Sequence, residues 1–563
     1  MKISLAQINP TVGSLDYNYK LIVKHANIAE KNGAEILITP ELSICGYPPE
    51  DLLLNDEFIE ECNYFLIKVA MKFPHLKIIV GHPRKHKKLL FNSASLLFKG
   101  KILKTYDKKI LPNYGVFDEK RYFEAGNKSV IFNHKGKKFG LLICEDIWTP
   151  GPGEELAAQN VDYIICINAS PYEINKKNKR FTQVNKRILA LGNTALIYVN
   201  LVGGQDELLF DGGSFINDPN SYGHIGLKQF LSLNAILDLD SIDKYGFRSV
   251  EEKYEYGNFP KKIDYDLAKF RFPISKLGEI DRNIFELLNG LILATKDYLE
   301  KNSIKNIFIG LSGGIDSAVV LFIASKVIKK ENITAVMMPS IFTSKASLVD
   351  AKTLANNLRV NYKVNDIRPL IKSFNKSLGK DFKGLKEDTT EENIQARIRG
   401  LLLMAYANKF NGIVLATSNK SEVAVGYSTL YGDMVGGFSV LKDVPKTLVY
   451  KIANEINHKD IIIPQRIIDR APSAELSENQ TDQDSLPNYD VLDEIIDLYL
   501  EKNQSIKMII KKGFSAQVVK KVVKLIDSNE FKRRQSAPGP KVTRKAFGKD
   551  RRYPITSNYK SQN

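Results

Sequence analysis

No CxxC pair occurs in this chain. Its four cysteines, Cys45, Cys62, Cys144 and Cys166, lie too far apart in sequence for a zinc ribbon, and in a reducing compartment they form no disulfide framework. One of them is thereby left as a candidate nucleophile. No apolar run approaches the roughly 18 residues that a membrane-spanning helix requires. The opening MKISLAQINP also lacks the apolar region and cleavage site of a signal peptide. A cytoplasmic protein with no membrane partner is expected. The chain also lacks a concentrated basic stripe. Its 81 Lys and Arg outnumber 64 Asp and Glu, but apart from short runs such as Arg84–Lys88 and Lys176–Arg180 they are spread along the sequence. A nucleic-acid surface gathers such charges and interleaves them with aromatics, so no nucleic-acid partner is expected. What remains is a chain of 563 residues, 43% hydrophobic and 26% charged, which is too long for one core and ordinary in composition for globular domains.

The first half alternates short apolar strands with amphipathic helices. Ile3–Gln7 alternates as a strand, Tyr19–Asn32 has helical spacing, and Glu35–Ile38 is a buried strand that stops at Thr39, Pro40 and Glu41. Further strands are predicted at Lys77–Gly81, Ser93–Phe98, Lys138–Ile143, Tyr163–Asn168 and Leu196–Leu201, which makes this half α/β. A carboxylate at the end of one strand (Glu41) and a thiol at the end of another (Cys144) are candidate site residues, with Lys108 between them in YDKKILPNYGVFDE. A thiol needs a base to become a thiolate at neutral pH. The nearest histidines in sequence, His82, His86 and His134, bear no patterned relation to Cys144, and a glutamate can serve.

The blocks PELSICGYPPED, YDKKILPNYGVFDEKRYFEAG, GLLICEDIW and INASPY stand in the order found in the nitrilase, or carbon-nitrogen hydrolase, superfamily, which this half resembles. The resemblance implies an αββα sandwich and a Glu41–Lys108–Cys144 triad, with Glu119 as a second, positioning glutamate. It further implies that Tyr114, Phe117, Glu145, Ser170 and Lys176 hold the substrate, as in the glutamine-using branch. An acidic Glu145 after the cysteine suits the α-ammonium of glutamine better than a simple nitrile.

From about Ile236 the pattern weakens into YGFRSVEEKYEYGNFPKKIDYD, rich in Tyr, charge, Gly and Pro. Residues 246–280 are therefore expected to link a first domain, 1–245, to a second, 281–563. The second opens on a helix over Asp281–Lys301 and then on NIFIGLSGGIDS. There a β-branched strand runs through Gly310, Leu311, Ser312, Gly313, Gly314, Ile315, Asp316 and Ser317 into an apolar helix. Glycine backbone, a helix N-terminus and serine hydroxyls together cradle an anion. No Gly-Lys-Ser/Thr ending follows, so this is not a Walker A loop. It resembles the SGGxDS pyrophosphate loop of the ATP pyrophosphatases, which cleave ATP to AMP and pyrophosphate. Thr334–Pro339 reads as the next strand, and the alternation continues as a doubly wound parallel sheet of adenine-nucleotide-hydrolase type, with ligands at the carboxyl ends of its strands. Asn393 is expected to open a long helix whose apolar positions keep helical spacing.

The block GIVLATSNKSEVAVGYSTLYGDMVGGFSVLKDVPKT resembles the NAD synthetases, and so does the basic tail FKRRQSAPGPKVTRKAFGKDRRYPIT. That likeness implies that Thr417 binds ATP, that Asn393, Glu422 and Lys532 bind deamido-NAD, and that Asp316 and Glu422 hold magnesium on the triphosphate. Both sets of motifs together are similar to those of the glutamine-dependent NAD synthetases. The implied reaction is amidation of deamido-NAD to NAD through an adenylate, using ammonia cut from L-glutamine and channelled between the two sites. The competing reading is a glutaminase fused to an ATP pyrophosphatase that acts on another carboxylate or on RNA. Small-molecule partners (deamido-NAD, ATP and glutamine) and a homo-oligomer are expected.

Overall fold

Along the first strands, alternate residues go to two different cores. Ile3, Leu5, Ile36, Ile38 and Ile79 pack with Leu141, Ile143, Ile165, Ile197 and Val199, whereas Ala6, Leu37, Ile78 and Val80 pack with Ile22, Ala26, Leu66 and Val69 of two helices. A period of two dividing each strand between a facing sheet and a covering helix layer is the signature of a sandwich. The computed structural model describes residues 1–192, 194–217, 224–227, 229–239, 251–253, 279–478, 480–557 and 559. The chain divides into two units, Met1–Ser275 and Lys276–Asn563.

In the first unit the strands are β1 (Lys2–Gln7), β2 (Ile36–Ile38), β3 (Lys77–His86), β4 (Leu89–Phe98), β5 (Lys101–Asp107), β6 (Ile131–His134), β7 (Lys137–Ile143), β8 (Tyr163–Asn168), β9 (Ala195–Asn200), β10 (Val202–Gln205), β11 (Leu208–Asp211), β12 (Phe215–Asn217), β13 (His224–Gly226), β14 (Leu233–Asp238) and β15 (Glu251–Lys253). A seven-stranded sheet has the order β15-β14-β1-β2-β3-β4-β5, and a six-stranded sheet the order β13-β12-β9-β8-β7-β6. The strands β1, β2 and β3 are parallel, as are β7, β8 and β9. Two antiparallel pairings bring β5 back into the direction of β3. The helices Leu15–Lys31 and Asp56–Lys72 cover the first sheet. Val184 and Ile188 of the helix Lys176–Ala190 join the core on the side of the second sheet. The layers are therefore helix, sheet, sheet, helix, the expected αββα architecture.

The weakening of pattern near Ile236 does not mark the end of the sheet, because β14 pairs with β1 over its whole length. Of the expected linker 246–280, Glu251–Lys253 forms the edge strand β15 and Glu279 begins a helix; the rest lies outside the described residues.

In the second unit, β16 (Ile307–Gly310), β17 (Ile333–Met337), β18 (Asn361–Val364), β19 (Ile413–Ala416) and β20 (Phe438–Ser439) form one sheet in the order β18-β17-β16-β19-β20. All four pairings are parallel. The order reverses at β16, so the crevice beyond the carboxyl ends of β16 and β19 is the switch point where such sheets bind ligands. The helix Ile315–Val327 is buried along nearly its whole length, which matches a sequence with apolar residues on every side. The long helix containing Asn393 starts earlier than the apolar spacing suggested. It runs Thr389–Lys409, opened by a capping box of Asp388 and Glu391, so that Asn393 lies a turn inside it.

Candidate active sites

Glu41 follows β2 and Lys108 follows β5, so both leave the same end of one sheet, while Cys144 and Ser170 follow β7 and β8 of the other. The loop at Glu41 passes very close to β3. A Cβ at Gly81 would stand 2.4 Å from the Leu42 nitrogen and 2.5 Å from the Pro40 oxygen, so only glycine fits there. The Lys108 ammonium donates to Glu41 Oε1 at 2.7 Å and to Glu119 Oε1 at 2.8 Å, and all three side chains are buried. Asn92 Nδ2 donates to Glu41 Oε1 at 2.7 Å, the Ala169 N–H to Glu41 Oε2 at 2.8 Å, and the Tyr47 hydroxyl to Glu119 Oε1 at 2.9 Å.

Burial disfavours the Lys108 ammonium, but Glu119 and Glu41 outweigh it and hold its pKa well above the ordinary lysine value. Lys108 is therefore a fixed cation and hydrogen-bond donor rather than a base. Burial raises the Glu119 carboxyl to about 7, with Lys108 pulling it down and Glu41 pushing it up. Cys144 sits where β7 meets the helix Glu145–Trp148, at φ 45° and ψ −99°. A non-glycine residue in that conformation is strained, a state that persists only where the surroundings enforce it. Burial pushes the thiol well above its usual range, Glu41 adds to this, and Lys108 opposes it. The thiol is thus neutral at rest and needs a base beside it to react.

Around this group the Tyr114 hydroxyl donates to Glu145 Oε2 at 3.0 Å, and the Tyr114 and Phe117 rings meet edge to face at 5.6 Å. Ser170 is buried, its N–H bonded to Asn200 Oδ1 at 2.9 Å. Burial first and the nearby Arg180 second lower the Lys176 pKa to about 8. One turn along the same helix, the buried Arg180 makes a two-pronged ion pair with Asp211, at 3.2 and 3.0 Å.

In the second unit a cavity of about 260 Å³ is lined by Gly310, Leu311, Ser312, Gly314, Ile315, Asp316, Ser317, Thr417 and Glu422. Gly313 is not on that wall. It makes the turn, at φ +82°, and a Cβ there would stand 2.8 Å from the Ser347 carbonyl oxygen. Asp316 and Glu422 converge on a residue that the sequence did not single out. The Lys446 ammonium donates to Asp316 Oδ2 at 2.5 Å and to Glu422 Oε1 at 3.1 Å, and Asn419 Nδ2 donates to Asp316 Oδ1 at 2.9 Å. Burial raises Glu422 to about 7, against the pull of Lys446. Burial opposes the Lys446 charge, yet the two carboxylates hold its pKa above the ordinary value. Arg470 reaches the Gly313 carbonyl at 3.2 Å, and Arg399, on the same cavity, donates to the Met338 carbonyl at 3.0 Å.

Asn393 and Lys532 are not on that wall, but both are bonded to the segment Gly426–Thr429. Thr429 Oγ1 donates to Asn393 Oδ1 at 2.8 Å, and the Lys532 ammonium donates to the Gly426 and Ser428 carbonyls at 2.8 and 2.7 Å. Among the described residues, no group of three or more His, Cys, Asp or Glu could hold a metal by itself.

Comparison with known proteins adds two family matches. The carbon-nitrogen hydrolase family matches residues 2–223, and the NAD synthase family matches residues 287–536. The glutamine-dependent NAD(+) synthetase of Acinetobacter baylyi is 43% identical, over 99% of both chains. That of Thermotoga maritima is 40% identical, over 100% of this chain and 99% of the other. Among solved structures, the glutamine-dependent NAD+ synthetase of Acinetobacter baumannii in complex with ADP superimposes with a TM-score of 0.75 at 39% identity, covering 100% of this chain and 99% of its own.

Proposed function

The chain belongs to the glutamine-dependent NAD synthetases, and from that premise we propose how its own residues carry out ATP-dependent amidation of deamido-NAD with nitrogen from L-glutamine. The observation that carries the reading is the buried Glu41–Lys108–Glu119 group at a strained Cys144, on the same chain as an SGGxDS cavity.

In the first unit Glu41 takes the proton of the Cys144 thiol and the thiolate attacks the amide carbon of glutamine. The negative charge that develops on the amide oxygen is met by the Lys108 ammonium and a backbone N–H. Collapse expels ammonia, protonated from Glu41, and leaves a thioester that water hydrolyses to glutamate and free thiol. Tyr114, Phe117, Glu145, Ser170 and Lys176 orient the amino acid. Glu145 suits its α-ammonium and Lys176 its carboxylate.

In the second unit the nicotinate carboxylate of deamido-NAD displaces pyrophosphate from ATP to give the acyl adenylate. Ammonia then attacks the acyl carbon and AMP leaves. The backbone from Gly310 to Ser317 cradles the phosphates, and Lys446 and Arg470 supply fixed positive charge beside them. Thr417 contacts ATP, while Asn393, Glu422 and Lys532 contact deamido-NAD. Magnesium usually takes one or two carboxylates and completes its shell with phosphate and water, so Asp316 and Glu422 would hold it, and it would offset charge on the triphosphate. The reading is tested by incubating the chain with ATP, deamido-NAD and either glutamine or ammonia; absence of NAD with both donors overturns it.

The Glu119 carboxyl, at about 7, makes the glutaminase pH-dependent with a definite sign. As pH falls through about 7 the carboxylate gains a proton, and Lys108 loses one of the two anions that orient it. Ammonia release from glutamine is expected to fall on the acid side of about pH 7, and Glu119→Gln to give a lower rate without that limb. A pH profile of the variant that keeps the wild-type limb contradicts the assignment.

Neutral ammonia is the nucleophile, and in bulk water at neutral pH most of it is ammonium. We therefore infer that ammonia passes between the sites without mixing with solvent, in the cytoplasm. Labelled ammonium added to a glutamine-driven reaction is expected to enter NAD far below its share of the nitrogen; incorporation in proportion to its concentration argues against channelling. Among the described residues no helix is long and apolar enough to cross a membrane. A homo-oligomer is supported by the exposed Val364, Leu370, Phe374 and Leu385, on and beyond the edge strand β18. Sedimentation at the mass of one chain would remove that support.

A further inference from the structure

A carboxylate outside the Glu41–Lys108–Glu119 group ties the two halves of the glutaminase site together. Asp146 lies two residues after Cys144, is fully buried, and uses both of its oxygens twice. Oδ1 accepts from the backbone N–H groups of Lys109 at 3.1 Å and Ile110 at 2.8 Å, the two residues that follow Lys108. Oδ2 accepts from the Tyr106 hydroxyl at 2.8 Å, two residues before Lys108, and from the Ile143 N–H at 3.1 Å, immediately before Cys144. Tyr106 belongs to β5 of the seven-stranded sheet and Ile143 to β7 of the six-stranded sheet. One side chain therefore spans the sandwich at the point where the cation and the nucleophile must meet.

We propose that Asp146 is a positioning residue of the glutaminase site, fixing the Lys108 loop and the strained turn at Cys144 relative to each other; this rests on the assignment of both residues above. Three features separate this from the role of an ordinary buried carboxylate. Two buried aspartates elsewhere, Asp211 and Asp443, are each paired directly with a cationic side chain, Arg180 and Lys420. Asp146 instead receives neutral donors, three of them backbone N–H groups flanking the proposed catalytic residues. Each of those bonds constrains backbone rather than a side chain, so together they fix the placement of Cα positions 108 and 144. Finally, Cys144 holds φ 45°, and a turn of that kind needs outside support, which the bond from Ile143 N–H supplies directly.

The chemistry that depends on this is short-range. Lys108 must lie where the oxyanion forms, not merely near it, and a displacement of about 1 Å in such a group can cost about 10²-fold in rate.

The test is Asp146→Asn in the full chain. Asparagine keeps the size, but its amide nitrogen is a donor, so two of the four donors would face another donor. Turnover of glutamine is expected to fall by about 10²-fold with KM for glutamine nearly unchanged, because Tyr114, Glu145 and Ser170 are not held by Asp146. Alkylation of Cys144 by iodoacetamide is expected to shift its pH profile, and NAD formation from added ammonia to persist. Tyr106→Phe removes one donor only and is expected to lower turnover several-fold at unchanged KM. Wild-type turnover in Asp146→Asn overturns the proposal, and so does a rise in KM without loss of turnover. If Asp146→Asn does not fold, Tyr106→Phe decides: unchanged turnover overturns the proposal. Cys144→Ala, run in parallel, separates the two levels. If that variant still hydrolyses glutamine, the assignment of the site has failed; if it is inactive while Asp146→Asn is active, only the role of Asp146 has.

Discussion

Cys144→Ala is expected to abolish glutamine-driven NAD formation, by at least about 10⁴-fold, since loss of a covalent nucleophile leaves little of the rate. Formation of NAD from added ammonia is expected to continue. The contrast follows from where the thiol sits. It lies on a strained turn of the first unit, beside Glu41 and Lys108, whereas the residues that line the cavity at the glycine loop all belong to the second. Removing one sulfur atom is therefore expected to affect NAD formation only through the supply of ammonia. The measurement is NAD by chromatography with each donor in turn, and equal loss with both donors would show that Cys144 is not a nucleophile for glutamine.

Asp316→Ala is expected to reduce NAD formation with either donor, by roughly 10²- to 10³-fold, the range for removing one charged group from a site of developing charge. Ammonia release from glutamine is expected to remain measurable. In the structure Asp316 belongs to a group of paired side chains. It accepts from Lys446 and Asn419 at once, and Lys446 also serves Glu422. Its removal thus leaves a buried ammonium with one carboxylate in place of two, which is costly in a site shielded from water. A variant with normal synthesis would show that the glycine loop is not the phosphate cradle.

The sequence exposed more of the fold than of the electrostatics. Strands such as Tyr163–Asn168 were legible because a run of β-branched residues buried on both faces has few alternatives, and the strand observed there has the same bounds. The strand, glycine turn and helix around Gly313 were legible because a β-branched run, a Gly-Gly pair and an apolar helical run follow one another directly. Other features depended on pairing across the fold, and local pattern carries little information about that. β14 looked like fading pattern near Ile236, yet its partner is β1, more than 200 residues away. Asn92, one of seven consecutive buried residues of β4, gave no hint that its amide would reach Glu41. Lys446 lies near the end of the stretch GIVLATSNKSEVAVGYSTLYGDMVGGFSVLKDVPKT, but a lone lysine after proline reads as surface charge until Asp316 and Glu422 are placed around it. Asp146 likewise reads as the first turn of a short helix. Its four donors come from segments up to 40 residues earlier, and only the closing of two sheets brings them together.

The most direct test of the account is the fate of atoms in a single turnover mixture. Deamido-NAD carrying ¹⁸O in its nicotinate carboxylate, ATP, and glutamine carrying ¹⁵N in its side-chain amide are mixed with the full chain, and the products are weighed by mass spectrometry. Adenylation of the carboxylate by ATP, followed by ammonia attack at the acyl carbon, breaks the bond between that carbon and the bridging oxygen. The expected result is ¹⁵N in the amide of NAD, one ¹⁸O in AMP, and none in pyrophosphate. Label in inorganic phosphate with ADP as the other product would show an acyl phosphate instead, and NAD without ¹⁵N would show that glutamine is not the donor; either result contradicts the reaction assigned to this chain.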